Sequence, residues 1–397
     1  MQYRVCTRAG VTHHLRRTCI SPVGCHPTRC YRRLLPHIRT FTQTPIPSLP
    51  YHICIRIYIY IYIDVLCIDC TLSHTLSHTS TIYISNTRHS SAVNIGTLSI
   101  EGAVSTGSIN VSPTAGSIGS LLINNDSESS SPLTVAGDIR INPAATTTGN
   151  QVNIDTVNIQ RLTSAQTLAI TAELNSAING VIINSPDTCF SARIATTVNV
   201  HVSHSSARID SVAMYVTHLK AGMTVTANGV RDDSLYMLDV LISAENAHAN
   251  CRALEVTGNI AVSANAGSID TFHAQGLSVV RGSVTATANM GSITSFELTP
   301  RDGPADAVTI NGGLSVQTLS SGTGGFSSVQ IGRLATVDGV FLAKALGGPI
   351  SEVEVKGSAT GAEFNAAFTL HSEGGTVNFD IDKLRCVCVC VPCPLSV

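Results

Sequence analysis

A short repeated pattern constrains the fold of this chain more than any other feature of its sequence. From about residue 91 to 385, the order apolar-x-x-apolar-x-apolar recurs, often after a glycine and a small residue. First residues of neighbouring copies are 23 to 36 residues apart, so insertions of up to a dozen residues interrupt a period near 24. The eleven copies are Ile95/Leu98/Ile100, Ile118/Leu121/Ile123, Ile154/Val157/Ile159, Ile178/Val181/Ile183, Ile209/Val212/Met214, Leu235/Leu238/Val240, Ile269/Phe272/Ala274, Ile293/Phe296/Leu298, Phe326/Val329/Ile331, Ile350/Val353/Val355 and the shortened Val377/Phe379/Ile381.

A second signature runs in phase with the first. An apolar residue, any residue and a glycine are followed by alternating apolar residues. Copies begin at Ile100, Val135, Val256, Val280, Ile310 and Val337. Each unit therefore contains two or three short strands separated by glycine corners.

The two signatures together predict the fold class. One unit is too short to bury its apolar face alone, whereas units stacked at about 4.8 Å form continuous parallel sheets around one apolar interior. We predict an all-β fold, a parallel β-solenoid (β-helix) of about eleven irregular rungs, in which Ile293, Phe296 and Leu298 face the interior. Glycine is expected to supply positive φ angles at the corners. The inserts near residues 124–132 and 300–307 are expected to loop out.

The charge distribution narrows the choice of partner. Residues 91–385 carry 14 Lys plus Arg against 24 Asp plus Glu, whereas residues 1–40 carry eight Arg and no acidic residue. Nucleic acids and anionic membranes attract clustered positive charge. We therefore predict that the acidic repeat region does not bind nucleic acid.

The chain is divided into residues 1–90, the solenoid region 91–385 and a tail at 386–397. The first segment has seven of the 13 cysteines and an alternating Ile-Tyr run at 57–63. Three interpretations are open. The Arg-rich start resembles an organellar transit peptide, although the secretory pattern is missing. The Ile-Tyr run, too short to span a bilayer, could be a buried or aggregation-prone strand.

The third interpretation accounts for both ends of the chain. Alternating AT and TG tracts encode Ile-Tyr and Cys-Val repeats, and the tail contains Cys-Val three times at 386–391. On this interpretation residues 1–90 and 386–397 are translated simple-sequence DNA, disordered or misassigned, and no fold should be assigned to them.

Two motifs have metal-binding alternatives. Residues 67–70 and 390–393 have CxxC spacing, but they lie in the low-complexity segments more than 300 residues apart. His201 and His204 are three residues apart, which places them on opposite faces of a strand. We predict no metal site. We also predict no cofactor, since a calcium nonapeptide, a phosphate loop and a dinucleotide fingerprint are missing.

Arg231, Asp232 and Asp233 are the best candidates for catalysis. Carbohydrate-active β-helices place paired carboxylates and basic residues on one groove face for acid and base roles. The structural alternative is a solvated loop, and we assign no catalytic residue. Further acids are expected to be exposed, with sugar or cation binding as the alternative: Glu297, Glu352, Glu354, Asp380 and Asp382.

Two smaller motifs are weak evidence for a function. The Thr-x-Thr sequences at 224–226 and 285–287 are similar to the ladders of ice-binding solenoids, but they do not recur in every rung. Asn110 and Asn125 begin glycosylation acceptors, which are expected by chance in a chain rich in Asn and Ser.

The Gly-Ser-Ile repeats at 267–269 and 291–293 resemble those of filamentous-haemagglutinin and autotransporter-type adhesins, which are parallel β-helices. The resemblance covers about 91–385 and includes no family-defining site. It implies extracellular display or adhesion, by analogy.

We therefore predict a non-enzymatic, structural or adhesin-like β-solenoid, secreted or at the cell surface, with carbohydrate or protein surface ligands. The alternatives are a polysaccharide hydrolase or lyase that uses Asp232 and Asp233, and a product without a defined activity. No cap motif is recognisable at either end, so end-to-end self-association is expected, or membership of a longer solenoid.

Overall fold

The structure is a computed structural model. It describes the strands before residue 94 and then residues 94–101, 105–124, 132–145, 151–185, 192–228, 238–243, 253–301, 306–319, 324–373 and 376–385. Within these residues the chain contains strands and turns and no helix. It coils as a parallel β-solenoid, which confirms the predicted fold class.

Each turn of the solenoid has three faces. The long-strand face and the short-strand face belong to one 22-stranded sheet, and the flat face is a separate 13-stranded sheet. Long-face strands are Asp69–Ser73, Asn94–Glu101, Gly116–Ile123, Val152–Ile159, Ser176–Ile183, Arg208–Tyr215, Leu238–Ser243, Ile269–Gln275, Ile293–Leu298, the first part of Phe326–Val337, Ile350–Gly357 and Val377–Asp382.

The other two faces have shorter strands. Short-face strands are Ser105–Thr106, Leu133–Val135, Leu162–Ala165, Arg193–Ile194, His218–Leu219, Leu254–Val256, Leu277–Val280, Val308–Ile310, the end of Phe326–Val337, Ala362–Phe364 and Leu384–Arg385. Flat-face strands are Arg39–Thr40, Ile57–Tyr58, Thr81–Ile84, Ser108–Val111, Ile139–Ile141, Leu168–Ala172, Val198–Val202, Gly222–Ala227, Asn259–Ala264, Val284–Ala288, Leu314–Thr318, Phe341–Ala345 and Phe368–Ser372.

Strands before residue 91 also pair with the solenoid. Asp69–Ser73 is parallel to Asn94–Glu101, and Thr81–Ile84 is parallel to Ser108–Val111. A separate antiparallel pair joins Tyr3–Cys6 and Thr12–Leu15. The domain boundaries predicted at 90 and 385 stay predictions.

The repeated triplets stack on one another in register. Ile118 pairs with Ile95 in the turn before and with Ile154 in the turn after. Ile293 and Phe296 are fully buried, as predicted, and so is Leu298. Because the interior residues are directly opposite each other, the core is a set of apolar columns that run through the stack.

One of the eleven predicted triplets has the wrong register. The interior residues of that rung are Leu238, Val240 and Ile242, because Val240 pairs with Val212 of the preceding turn. A bulge after Leu238 removes one outward residue. This strand therefore lacks the apolar-x-x-apolar spacing. Leu235 and Leu238 have that spacing by chance, and for this reason the sequence predicted the wrong register.

The turns are also longer than predicted. Ile95 and Val377 occupy equivalent positions ten turns apart and are 282 residues apart, which gives about 28 residues per turn. Eight consecutive turns, those that begin with Gly116–Ile123 through Phe326–Val337, bury apolar residues on all three faces. The period near 24 describes only the shortest turns, and the flanking turns are incomplete.

The bend between the long and short faces uses residues with a positive φ. Asn124, Arg161 and Asn184 have φ values of 52°, 62° and 62°. Buried Asn184 donates from Nδ2 to the carbonyls of Leu162 (3.0 Å) and Tyr215 (3.2 Å), and its Oδ1 accepts from Leu162 N (2.7 Å). Its side chain therefore ties three successive turns together.

Glycine has a different role at the bend between the short and flat faces. A Cβ on Gly282 would lie 2.6 Å from the carbonyl oxygen of Gly258, and a Cβ on Gly312 would lie 2.5 Å from that of Gly282. None of the three is among the glycines with a positive φ. The expected reason for glycine, a positive φ, therefore holds at this bend for Gly222 (φ 96°). It is wrong for Gly258, Gly282 and Gly312, where close approach of stacked backbones requires glycine.

We expect Phe296→Ala to lower the free energy of unfolding by about 3–5 kcal/mol, the usual range for removing a buried phenylalanine. The Phe296 ring is fully buried and stacks on Phe272 with the centroids 5.3 Å apart. Thr294→Ala, at an exposed position of the same strand, should change stability by less than about 0.5 kcal/mol. Urea denaturation followed by circular dichroism measures both. Equal effects of the two variants would contradict the stacked interior.

Candidate functional site

Outward side chains on the long-strand face form columns because the turns are in register. In Val152–Ile159, two outward residues separate Ile154 from Val157, and one separates Val157 from Ile159. Equivalent residues on neighbouring turns are about one strand spacing apart, roughly 4.8 Å. Each outward side chain therefore meets its counterparts in the turns before and after.

Three carboxylates, here called the acidic column, lie on consecutive turns of this face. Asp239 pairs in register with Ser211 and Thr271, which directly follow Asp210 and Asp270. Partial burial raises the pKa of Asp239, the Asp270 carboxylate raises it further, hydrogen bonds with Thr271 oppose the shift, and Asp210 adds a smaller increase. Asp239 is nevertheless exposed, so water screens these interactions.

A hydrogen-bonded network continues the acidic column toward earlier turns. Asn179 Nδ2 donates to Asp155 Oδ1 at 3.0 Å, and Arg208 Nη2 donates to Asn179 Oδ1 at 2.8 Å. Arg208 Nε lies 3.6 Å from Asp210 Oδ1. The first acid of the column therefore has a cationic partner.

A histidine on the strand of Asp270 and a glutamate on the next turn form a second polar pair. His273 pairs in register with Glu297, and the two side chains approach to 3.8 Å between Nε2 and Oε2. His273 Nε2 also lies 2.8 Å from Thr299 Oγ1, and Ser295 Oγ donates to Glu297 Oε1 at 2.6 Å. Burial lowers the pKa of His273, and the Glu297 carboxylate opposes this shift. The imidazole is therefore mainly neutral at pH 7.

These groups suit two kinds of chemistry. A carboxyl with a raised pKa and a neutral imidazole are typical of general acid–base catalysis. The same carboxylates and hydroxyls can also hold sugar hydroxyls or polar protein groups. Among the described residues, no group of three or more His, Cys, Asp or Glu side chains is placed to hold a metal ion.

Over five successive turns, from Val198–Val202 to Leu314–Thr318, the flat face has uncharged outward side chains in two adjacent columns. Arg140 and Lys344 occupy the same columns on either side of these turns. The two Thr-x-Thr motifs occupy the same columns and are separated by one turn, which contributes Ala261 and Ser263. Burial lowers the pKa of His201 in this surface, and Glu173 opposes the shift. The columns contain Asn199, Thr224, Ala261, Thr285 and Ser315, and His201, Thr226, Ser263, Thr287 and Gln317.

The predicted catalytic residues and cysteine motifs lie outside the described side chains. Residues 231–233 belong to the segment between Gly222–Ala227 and Leu238–Ser243. In the sequence, that segment directly precedes the strand that carries Asp239. The CxxC sequences at 67–70 and 390–393 are also outside the side chains that the structure describes.

The other predicted positions fall in different environments. His201 is on the flat face, whereas His204 lies in the turn after that strand with Nδ1 2.9 Å from Ser206 Oγ. Asn110 is half-buried and accepts a hydrogen bond from Ser112; Asn125 is not among the described residues.

The exposed acids were predicted with partial success. Glu352, Asp380 and Asp382 are exposed. Glu354 is partly buried and pairs with Lys356 at 3.1 Å. The expectation was wrong for Glu297, which is half-buried beside His273, and for Glu354, which is buried to a similar extent.

The acidic column was missed in the sequence. Asp210, Asp239 and Asp270 are far apart along the chain, and only correct alignment of the rungs places them together. The wrong register at Leu238 hid the position of Asp239. An alignment of the triplets that allows one bulge would place Asp239 beside Asp210 and Asp270 and would reveal the acidic column.

Comparison with protein-family models, curated proteins and solved structures found no match for the chain. In the described part of the chain, no helix has the length and apolar character needed to cross a membrane. The arrangement of outward side chains is therefore the basis for assigning a function.

We expect His273 to make the protein less stable in mild acid. Its pKa is lowered in the folded state, so the stability it contributes is complete above the unfolded value, about 6.5, and is lost as the pH falls through the folded value. Thermal denaturation between pH 7.5 and 5 should show a smaller pH dependence for His273→Gln than for the wild type. His371→Gln, at an exposed histidine, is the control. Equal slopes for His273→Gln and wild type would contradict this assignment.

Proposed function

We propose that this chain is a non-enzymatic, adhesin-like β-solenoid, secreted or displayed at the cell surface, that binds ligands through its outward faces. The observation that carries the proposal is the register of the flat face, where short polar side chains repeat in two columns over successive turns. A sheet with short side chains presents a flat, rigid array of hydrogen-bonding groups at regular intervals.

The chemistry of this face favours a neutral, polar and extended ligand. Hydroxyl and amide groups on the turns from Thr224 to Gln317 can donate and accept hydrogen bonds, as binding of carbohydrate chains or protein surfaces requires. The excess of acidic residues over residues 91–385 disfavours nucleic acid. We therefore propose carbohydrate or protein surface ligands and no nucleic acid.

The binding test uses charge placed on the flat face. Thr226→Glu with Thr287→Glu should weaken retention on an insoluble polysaccharide panel of cellulose, chitin and mannan, or on immobilised matrix protein, by about tenfold, since each change buries an unpaired charge under the ligand. Thr294→Glu with Ser351→Glu adds the same charge at exposed positions of the long-strand face and should bind normally.

Circular dichroism establishes that both double variants are folded. Failure of the wild type to bind any member of the panel, or equal binding by the two double variants, would contradict the proposed role of the flat face.

A carbohydrate-active enzyme is the second candidate, and the acidic column is the observation that favours it. Asp239 has a raised pKa between two further carboxylates, and Asp232 and Asp233 precede it by seven and six residues in the sequence. Paired carboxyl groups in different protonation states are the requirement for acid–base cleavage of a glycosidic bond.

Product release from the same polysaccharides separates the two candidates. The adhesin-like proposal expects no new reducing ends and no unsaturated products with the wild type. Turnover that is abolished in Asp239→Asn, or in Asp232→Ala with Asp233→Ala, would replace it with the enzymatic function. Glu352→Gln, a change of an exposed acid on the same face, is the control.

A further inference from the structure

The last turn of the solenoid leaves apolar side chains partly uncovered. Phe368 and Leu370 on the flat face, and Phe379 and Ile381 on the long-strand face, pack against the core but are only partly buried. Their counterparts in the preceding turn, such as Phe341, are buried. An open apolar edge promotes association with other chains. We therefore expect another segment of polypeptide to cover this end of the solenoid.

The backbone hydrogen bonds of the flat face have a fixed direction. Interior residues donate to the following turn, as Leu314 N does to Val340 O (2.9 Å) and Phe341 N to Ala367 O (2.9 Å). The outward residue after an interior one donates to the preceding turn, as Ser203 N does to Ala172 O (3.0 Å). By the same pattern, the amides of Phe368 and Leu370 point toward a strand that follows them.

The register of the final short strand predicts which residues would form that strand. Ala362 pairs with Leu384 and Glu363 with Arg385, so residue 386 is the counterpart of Phe364. In the last seven turns, the first interior residue of the flat face is four positions after the final interior residue of the short face, as Phe368 is after Phe364. The same spacing puts residue 390 opposite Phe368.

Proline then falls at two positions that need no backbone donor. With Cys390 opposite Phe368, Pro392 would be opposite Leu370 and Pro394 would be opposite Ser372. The partners of Leu370 and Ser372 in the preceding turn, Ala343 and Ala345, are buried interior residues. The N–H of an interior residue points to the next turn, and proline has no N–H. The intervening residues, Val391 and Cys393, keep the N–H groups that donate back to Phe368 and Leu370.

We propose that residues 390–394 form a final flat-face strand and cap the solenoid, with Pro392 and Pro394 blocking the addition of another strand. Proline at an edge is a known protection against edge-to-edge pairing. A second copy of the chain is the competing occupant of the same end. The inference is independent of what the outward faces bind.

A matched pair of cysteine variants in the full chain tests the cap and its register. Cys390→Asp places a charge over Phe368, whereas Cys393→Asp places the same charge at an outward position. Hydrogen exchange of peptides within residues 366–372 should become about tenfold faster in Cys390→Asp and remain at the wild-type rate in Cys393→Asp. Unchanged exchange in both variants, or equal acceleration in both, would overturn the proposed docking.

A proline variant tests the blocking function. Pro392→Ala with Pro394→Ala introduces two N–H donors that point toward a further turn, so the full chain should associate. Its weight-average mass in light scattering should rise about twofold or more with concentration. Cys393→Ala is the control and should behave as the wild type. A double alanine variant with the wild-type mass at every concentration would overturn the role of the prolines.

Discussion

Parallel pairing between successive turns is the interaction on which this structure depends. Each strand from residue 94 onward finds its backbone partners in neighbouring turns, and its apolar side chains lie on equivalent residues above and below, as Ile154 does on Ile118 and Ile178. A single turn has neither a backbone partner nor a core of its own. The same dependence aligns outward residues in columns, and it leaves the two ends of the stack in need of cover.

The fold was predictable because the constraint is repetitive. Interior triplets such as Ile293, Phe296 and Leu298 recur in sequence, so their pattern identifies the long strands before any pairing is known. The prediction failed where stacking tolerates a local change. The bulge after Leu238 shifted one rung, and insertions of different length made the mean turn about 28 residues instead of 24. At the bend between the long and short faces, Asn184 adopts the positive φ. At the bend between the short and flat faces, Gly282 is needed because stacked backbones approach closely.

The candidate site was less predictable because outward residues are not repeated. Asp210, Asp239 and Asp270 come together only through pairing of strands about 30 residues apart along the chain, and no local spacing marks them. His273 has its perturbed pKa for the same reason, since its burial and its partner Glu297 arise from neighbouring rungs. The solenoid therefore separates two roles. Repeated residues maintain the stack, and variable residues give each face its chemistry: carboxylates on the long-strand face and neutral hydroxyls on the flat face.

Distances between paramagnetic labels on the flat face test the stacking most directly. Thr171 and Gln317 occupy one outward column five turns apart, and Lys344 is one turn further. Labels introduced through a non-canonical amino acid avoid the native cysteines. Electron–electron double resonance should give about 24 Å for Thr171 to Gln317 and about 29 Å for Thr171 to Lys344, since each turn adds roughly 4.8 Å. Two distances that do not increase by one strand spacing would contradict the in-register parallel stack.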